Sequence, residues 1–520
     1  MVKDNNTDDL NLGSSWVGGN TPDSAGIAKW DNTVTSANTT ALGADLAWGS
    51  IVIADPFGLV TINAGNTLTN NGGIDMSAAT QNLTLNCGYA LGNSAVWNVA
   101  AGRTLTMGGL VSGSFNLTKQ GGGKVILSGA NTYSGVTAMT GGTLQLGAGG
   151  VIPDGVGKGD VSVGAGCTLD LNGFSETVNG LTGANSTSIV DNTAAGTTAT
   201  LTVGGNDATS TFAGLIQNSG SGSTVNLIKT GTGTLTLAGA NTLSGSVTVN
   251  QGNLALQHAN PPGNISGLTI GGATLGCNTN NAVIPAPITL TGNLTVRVQS
   301  AGVLANLNGT LDVTGNAVIN LGSSTAALAF ADSNTIDWTG GTLTITGTFV
   351  SGSSLRFGTT DSGLTSDQLA LISATGFTNF ALNADGFLTA AGAGGYSAWA
   401  ATNAGGQTAD LDFDNDGVAN GIEYFLVGPN GTGTGFTALP GVVKDPGTGA
   451  LGVTWPKGSG YTGVYSTDFA VETSDSLTGT WMSEALAPTG TVTDSATQVK
   501  YTFPSPLGSR KFARLKVTGP

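Results

Sequence analysis

The stretch "LTKQGGGKVILSGANTYSG", Leu117 to Gly135, returns 110 positions later as "LIKTGTGTLTLAGANTLSG", Leu227 to Gly245. Extended to Asn116–Leu146 and Asn226–Leu256, the two windows align without a gap and share 15 of 31 residues. Glycine, lysine and asparagine keep register throughout, and self-similarity at a fixed spacing points to stacked structural units. Inside each copy the apolar residues lie two apart: Val125 and Leu127, then Leu144 and Leu146, against Leu235 and Leu237, then Leu254 and Leu256. A period of two is a strand with one buried face. The intervening "GAN", "SG" and "GG" are residues that tolerate left-handed turns.

This texture of short strands and tight Gly/Asn turns runs from about Leu42 to about Val350 without a helical stretch. A sandwich or barrel closes after about 100 to 250 residues. A parallel solenoid has no such limit, because each coil packs only on its neighbours. Coils stacked at about 4.8 Å turn inward aliphatics into ladders. The fold expected is therefore all-β: a parallel β-helix solenoid, taken as right-handed by analogy with known β-helices. Residues 1–50 form an N-terminal cap and first coils, 51–350 the β-helix, and 351–395 its C-terminal cap. A calcium-loop linker (396–430) and a small β-sandwich-like module (431–520) follow. Trp16, Trp30 and Trp48 read either as plugs over the first coil or as an aromatic ligand platform.

Composition narrows the partners. Sixteen basic residues against 31 acidic ones give a net charge of -15, the wrong balance for binding a phosphate backbone. No apolar run approaches the roughly 18 residues of a membrane-spanning helix, so neither nucleic acid nor membrane insertion is expected. Cys87, Cys167 and Cys277 are too few and too scattered for a disulfide framework and read as buried small residues. Glycine is abundant at 85 residues, yet 39% of the chain is hydrophobic, enough to bury a core.

The repeated residues, with "GGTLQL" and "GNLAL" closing each copy, resemble the autotransporter-associated β-strand repeat of large bacterial surface and secreted proteins. "IDWTGGTLTITGTFVSGSSLRFG" (Ile336 to Gly358) is similar to the segment that closes such solenoids. "FAVETSDSLTGTW" and "RKFARLKV" resemble the terminal module of relatives that lack a membrane barrel. The resemblance implies a secreted or cell-surface protein whose signal peptide has been removed, without self-translocation through a barrel of its own.

One stretch carries chemistry. "DLDFDNDGVANGIEYF" fits the calcium-loop pattern D-x-[DN]-x-[DN]-G-x5-E. Asp412, Asp414 and Asp416 take positions one, three and five, and Gly417 is the turn glycine. Val418 offers a carbonyl at seven, Asn420 falls at nine, and Glu423 at twelve can bind through both oxygens. Calcium wants six to eight oxygens, and this spacing wraps carboxylates round one point. Asp410 is a substitute in a shifted register. The ion is expected to brace a junction.

Trp455, Tyr461, Tyr465, Trp481 and Tyr501 are either core aromatics of the last module or sugar-stacking platforms. Catalysis on a polysaccharide would need paired carboxylates or a base with charge neutralisation. The acids between residues 100 and 300 are scattered singly, and the single histidine, His258, has no nucleophile pattern around it. The expected function is a non-catalytic extracellular scaffold: a stalk, adhesin, matrix or fibre subunit. Its partners would be copies of itself or a surface polysaccharide. The alternatives are a carbohydrate-binding module on a β-helical spacer and, further off, a polysaccharide lyase or hydrolase.

Overall fold

In the computed structural model, the spaced apolar pairs of the sequence become continuous ladders. The structure describes residues 1–257, 263–277, 284–298, 305–322, 327–338, 340–375, 377–392, 396–428, 439–459, 461, 463–487, 491–504 and 511–518. They divide into two units, Met1–Gly341 and Thr342–Pro520. His258 lies outside the described residues, as does the side chain of Cys277.

The first unit belongs to a parallel β-solenoid of about 13 turns. One inward column runs Thr40, Ile62, Leu85, Met107, Leu127 and Leu146, each residue paired with its equivalent one coil on. In the other copy Phe212, Leu237 and Leu256 stack the same way. Leu127 and Leu237 are both fully buried. Their outward neighbours are mostly small and polar, as in the column Thr39, Thr61, Thr84 and Thr106. Alternation thus sorts each strand into a wall and a core.

The residues that keep register between the two copies act across coils. Lys119 is inward, in the column Ile51, Ile74, Trp97, Lys119, Met139 and Val163. Its Nζ donates to the carbonyls of Gln120 (2.9 Å), Gly121 (2.7 Å) and Gly141 (2.8 Å). Lys229 repeats this with Thr230, Gly231 and Gln251, the last belonging to the next coil. The asparagine of "GAN" is a bracket. Asn131 Oδ1 accepts from Val111 N at 2.7 Å while its Nδ2 donates to Val151 O at 2.8 Å, joining three coils. Asn241 Oδ1 accepts from Ile216 N at 2.9 Å. The glycine is a matter of space: a Cβ on Gly129 would meet Gly109 O, and one on Gly239 would meet Gly214 O.

The N-terminal tryptophans are plugs. Trp16 meets Trp30 and Trp48 edge-on with centroids 5.7 and 5.8 Å apart, and none is more than 2% exposed. Trp16 Nε1 donates to Leu10 O and Trp30 Nε1 to Asn38 Oδ1, so two of the three polar edges are satisfied. Cys87 and Cys167 are buried free thiols.

In the second unit, Thr342–Thr346 pairs in parallel with Ile372–Ala374, and the antiparallel strands Phe377–Leu382 and Leu388–Gly392 follow. The stretch "SDQLA" is a helix, Ser366–Ala370, begun by a reciprocal cap between Thr365 and Gln368. Two more helices, Tyr396–Asn403 and Asn420–Val427, flank the acidic loop. Two antiparallel sheets come last. One orders Val442–Lys444, Leu451–Pro456, Gln498–Thr502 and Val492–Asp494; the other orders Met482–Ser483, Phe469–Ser474 and Phe512–Val517. Tyr396, Trp399, Tyr424 and Phe425 of the helices share one core with Trp455, Phe469, Val471 and Tyr501 of the sheets. The helices that flank the acidic loop and the sheets therefore form one packed body.

Candidate metal centre

The loop Asp412–Gly417 is folded by its own carboxylates. Asp412 Oδ2 accepts from Gly417 N at 2.9 Å, Asp416 Oδ1 from Val418 N at 2.9 Å, and Asp414 Oδ1 from Asp416 N at 3.3 Å. Closing so tight a turn needs left-handed backbone, found at Asn415 (φ 60°) and Gly417 (φ 93°). At Gly417 nothing crowds a would-be Cβ, so the demand there is conformational. One ligand atom from each of Asp412, Asp414 and Asp416 lies within 4.8 Å of the others.

Glu423 comes to the cluster from the following helix and is 2% exposed. Burial, and then the charges of Asp414, Asp416 and Asp412, push its carboxyl up from 4.5 to about 7. Glu423 Oε1 and Asp412 Oδ1 are buried and have no hydrogen-bond partner. Unpaired buried carboxylate oxygens beside two further acids are costly without a cation. The donor set is all oxygen, as a hard divalent ion prefers.

The other sequence candidates sit differently. Val418 is buried and follows the turn, tied through its N–H to Asp416. Asn420 is fully buried: its Oδ1 accepts from Phe413 N at 3.0 Å and its Nδ2 donates to Thr408 O at 3.2 Å. Its amide holds the loop's frame from behind. Asp410 is exposed, kept below the usual carboxylate range by a hydrogen bond from Thr408, and is not among the three clustered aspartates. Sequence reasoning missed that Tyr396 Oη donates to Gln407 O at 2.8 Å, tying the first helix to the loop. The aromatic spacing of Tyr396 and Trp399 was the available signal.

Trp455, Tyr461, Tyr465 and Tyr501 are buried in the shared core. Trp481 is half-buried, with the Arg514 guanidinium 4.3 Å from its ring centroid.

Comparison with known proteins bears on the solenoid. The model of the passenger-associated transport repeat matches residues 117–146 and 227–256. The two segments are autotransporter-associated repeats. A relative, the adhesin BmaC autotransporter of Brucella suis biovar 1 (strain 1330), is 33% identical over 290 residues. That alignment covers 54% of this chain and 8% of the relative, so the chain spans a small part of that protein's length. No solved structure matches the chain. The repeats account for the Lys and Asn brackets as a coil-joining device used twice, at Lys119 with Asn131 and at Lys229 with Asn241. Among the described residues, no helix is long and apolar enough to cross a membrane.

Proposed function

We propose that the chain is a non-catalytic scaffold of a secreted or cell-surface adhesin-type protein, with a calcium ion bracing its C-terminal unit. The observation that carries the reading is the pair of autotransporter-associated repeats built into a parallel solenoid, together with the likeness to an adhesin. A solenoid of this kind acts by extension and repetition: each coil adds wall, and its Thr-rich face can contact a surface polysaccharide or a second copy of the chain. Asp412, Asp414, Asp416 and Glu423 would hold the calcium, with the Val418 carbonyl and Asn420 completing or supporting the set. The ion would supply charge that the buried Glu423 and Asp412 oxygens lack, fixing the helix Asn420–Val427 in the shared core.

The test has two arms. Antibody against the folded chain is applied to intact producing cells and to their medium, and the purified chain is applied to a glycan array and to host-cell surfaces. Surface or medium labelling with saturable attachment is the expected outcome. Retention wholly inside the cell, or turnover of any polysaccharide in a panel, would overturn the scaffold reading.

A further inference from the structure

The turn after the first repeat holds a peptide bond that the fold braces on both sides and itself leaves free. Fourteen residues, 147–160, join the strand Thr143–Leu146 to Val161–Val163. Ten join the equivalent strands Asn253–Leu256 and Gly267–Ile270 of the second repeat, so closing a coil does not require the longer excursion. At its tip Val156 is 95% exposed, while among the described residues the next large apolar side chains reach 69%. A valine so far clear of the coils contributes no packing.

Both feet of this loop are fixed. Val151 and Ile152 are buried and donate their N–H groups to Glu176 Oε2. Asn179 is fully buried: its Oδ1 accepts from Gly155 N at 2.7 Å, and its Nδ2 donates to Gly155 O at 3.0 Å and Lys158 O at 2.8 Å. Lys158 Nζ donates to Thr132 O at 2.6 Å. Between these anchors the backbone of Val156 and Gly157 has no hydrogen-bond partner among the described residues. Gly155 and Gly157 flank the valine with φ of 87° and 79°, and nothing lies within 4 Å of a would-be Cβ on either. Glycine leaves the left-handed region at little cost, so the tip can be redrawn into the extended shape that a protease cleft binds.

We propose that the Val156–Gly157 bond is a processing site, cut by an elastase-type serine endopeptidase to give a two-chain solenoid. Such an enzyme has a small specificity pocket, the size for a short aliphatic side chain. Water adds across the bond: the C–N bond breaks, the hydroxyl goes to the Val156 carbonyl carbon, and the proton goes to the Gly157 nitrogen. A trypsin-type cut after Lys158 is opposed, because Asn179 holds that residue's carbonyl and Thr132 its ammonium. The cut does not release the halves. Thr137–Met139 still pairs with Val161–Val163, and Thr143–Leu146 with Thr168–Asp170, so the columns through Met139 and Val163 and through Leu144 and Leu169 cross the nick intact. The new termini lie in solvent, where their charges stay hydrated. The enzyme is extracellular if the surface reading holds, but the site rests on the loop alone.

Purified full chain is treated with pancreatic elastase at a low enzyme ratio and followed by intact mass, amino-terminal sequencing and native size exclusion. The first products expected are residues 1–156 and 157–520, co-eluting at the parent's position and parting only in denaturant. Val156→Glu alters an exposed tip, so it should keep the parent's melting temperature and lose this cut. Asn179→Ala should speed the cut about tenfold, the worth of one freed hydrogen bond; if it fails to fold, the parent and Val156→Glu still decide. Chain recovered from producing cells and their medium should include an amino terminus at Gly157. A first cut elsewhere, no cut, or an unaltered cut in Val156→Glu overturns the site. Halves that separate on the native column overturn the two-chain form, and intact chain alone in cells and medium overturns processing.

Discussion

Glu176 offers a test of how a buried acid is tolerated inside a chain so poor in charge. It begins the strand Glu176–Val178, is 2% exposed, and holds the preceding loop by its backbone. Its Oε2 accepts from Val151 N at 2.9 Å and Ile152 N at 3.2 Å, and its Oε1 from Thr177 N at 3.1 Å. Burial raises the carboxyl from 4.5 to about 7, with Asp154's charge adding and the three N–H donors opposing. Because the folded value lies above the unfolded one, the folded chain binds the extra proton between them. Its contribution is fully present below pH 4.5 and is lost as pH climbs through about 7. A shift of this size is worth about 3 kcal/mol. Glu176→Gln mimics the protonated acid, keeping an oxygen for Val151 and Ile152 but unable to ionise. At pH 5 the variant should match the parent within about 1 kcal/mol, and at pH 8 exceed it by up to about 3 kcal/mol. Amide exchange of Val151 and Ile152, corrected for intrinsic rates, reads this directly. Parent protection unchanged from pH 5 to pH 8, or a variant weaker at both, refutes the reasoning.

Three further outcomes are expected. Leu127→Ala and Leu237→Ala should each cost about 3 kcal/mol in urea unfolding and add when combined, while Thr84→Ser on the outer wall stays within about 0.5 kcal/mol; equal effects would mean the columns are not the core. Lys229→Met should cost about 2 kcal/mol by stranding the Thr230, Gly231 and Gln251 carbonyls, and a neutral result would remove the bracket role. Calcium chelation should raise amide exchange in Asn420–Val427 and the strands sharing its core, and spare the coils of residues 1–341; Asp412→Ala and Asp416→Ala should no longer bind calcium in calorimetric titration, and parent-like binding would refute the ligand set.

What the sequence discloses follows from how local each signal is. Strands in the solenoid are legible because their period of two is written within four residues, as in Val125 to Leu127. The acidic loop is legible because Asp412 to Glu423 is one short continuous run. Lys119 is different. Its recurrence marks it as structural, but its third acceptor, Gly141, is in the next coil, and only stacking shows that the ammonium turns inward. Asn131 is illegible for the same reason, since Val111 and Val151 belong to the coils on either side. In the sequence the aromatics of the last module read equally as core or platform, because period two cannot say which face is covered. The shared core decides it for Trp455, Tyr461, Tyr465 and Tyr501.

The two kinds of polar residue at these sites carry opposite burdens. Lys119, Lys229 and Asn131 are buried but engaged by their own and the adjacent coils, so the bracket can be copied without regard to the rest of the chain. This is what permits the motif to recur, because a bracket that needs only the adjacent coils works at any height in a one-dimensional stack. The acidic loop is the reverse. Glu423 Oε1 and Asp412 Oδ1 are buried without a hydrogen-bond partner, and Glu423 feels the charges of the clustered Asp412, Asp414 and Asp416. Such a site cannot be neutral to its surroundings. The helix that carries Glu423 also carries Tyr424 and Phe425 into the core of the last two sheets. If the loop takes up calcium as proposed, occupancy and the packing of that module would be one equilibrium, whereas the brackets of the solenoid act only between adjacent coils.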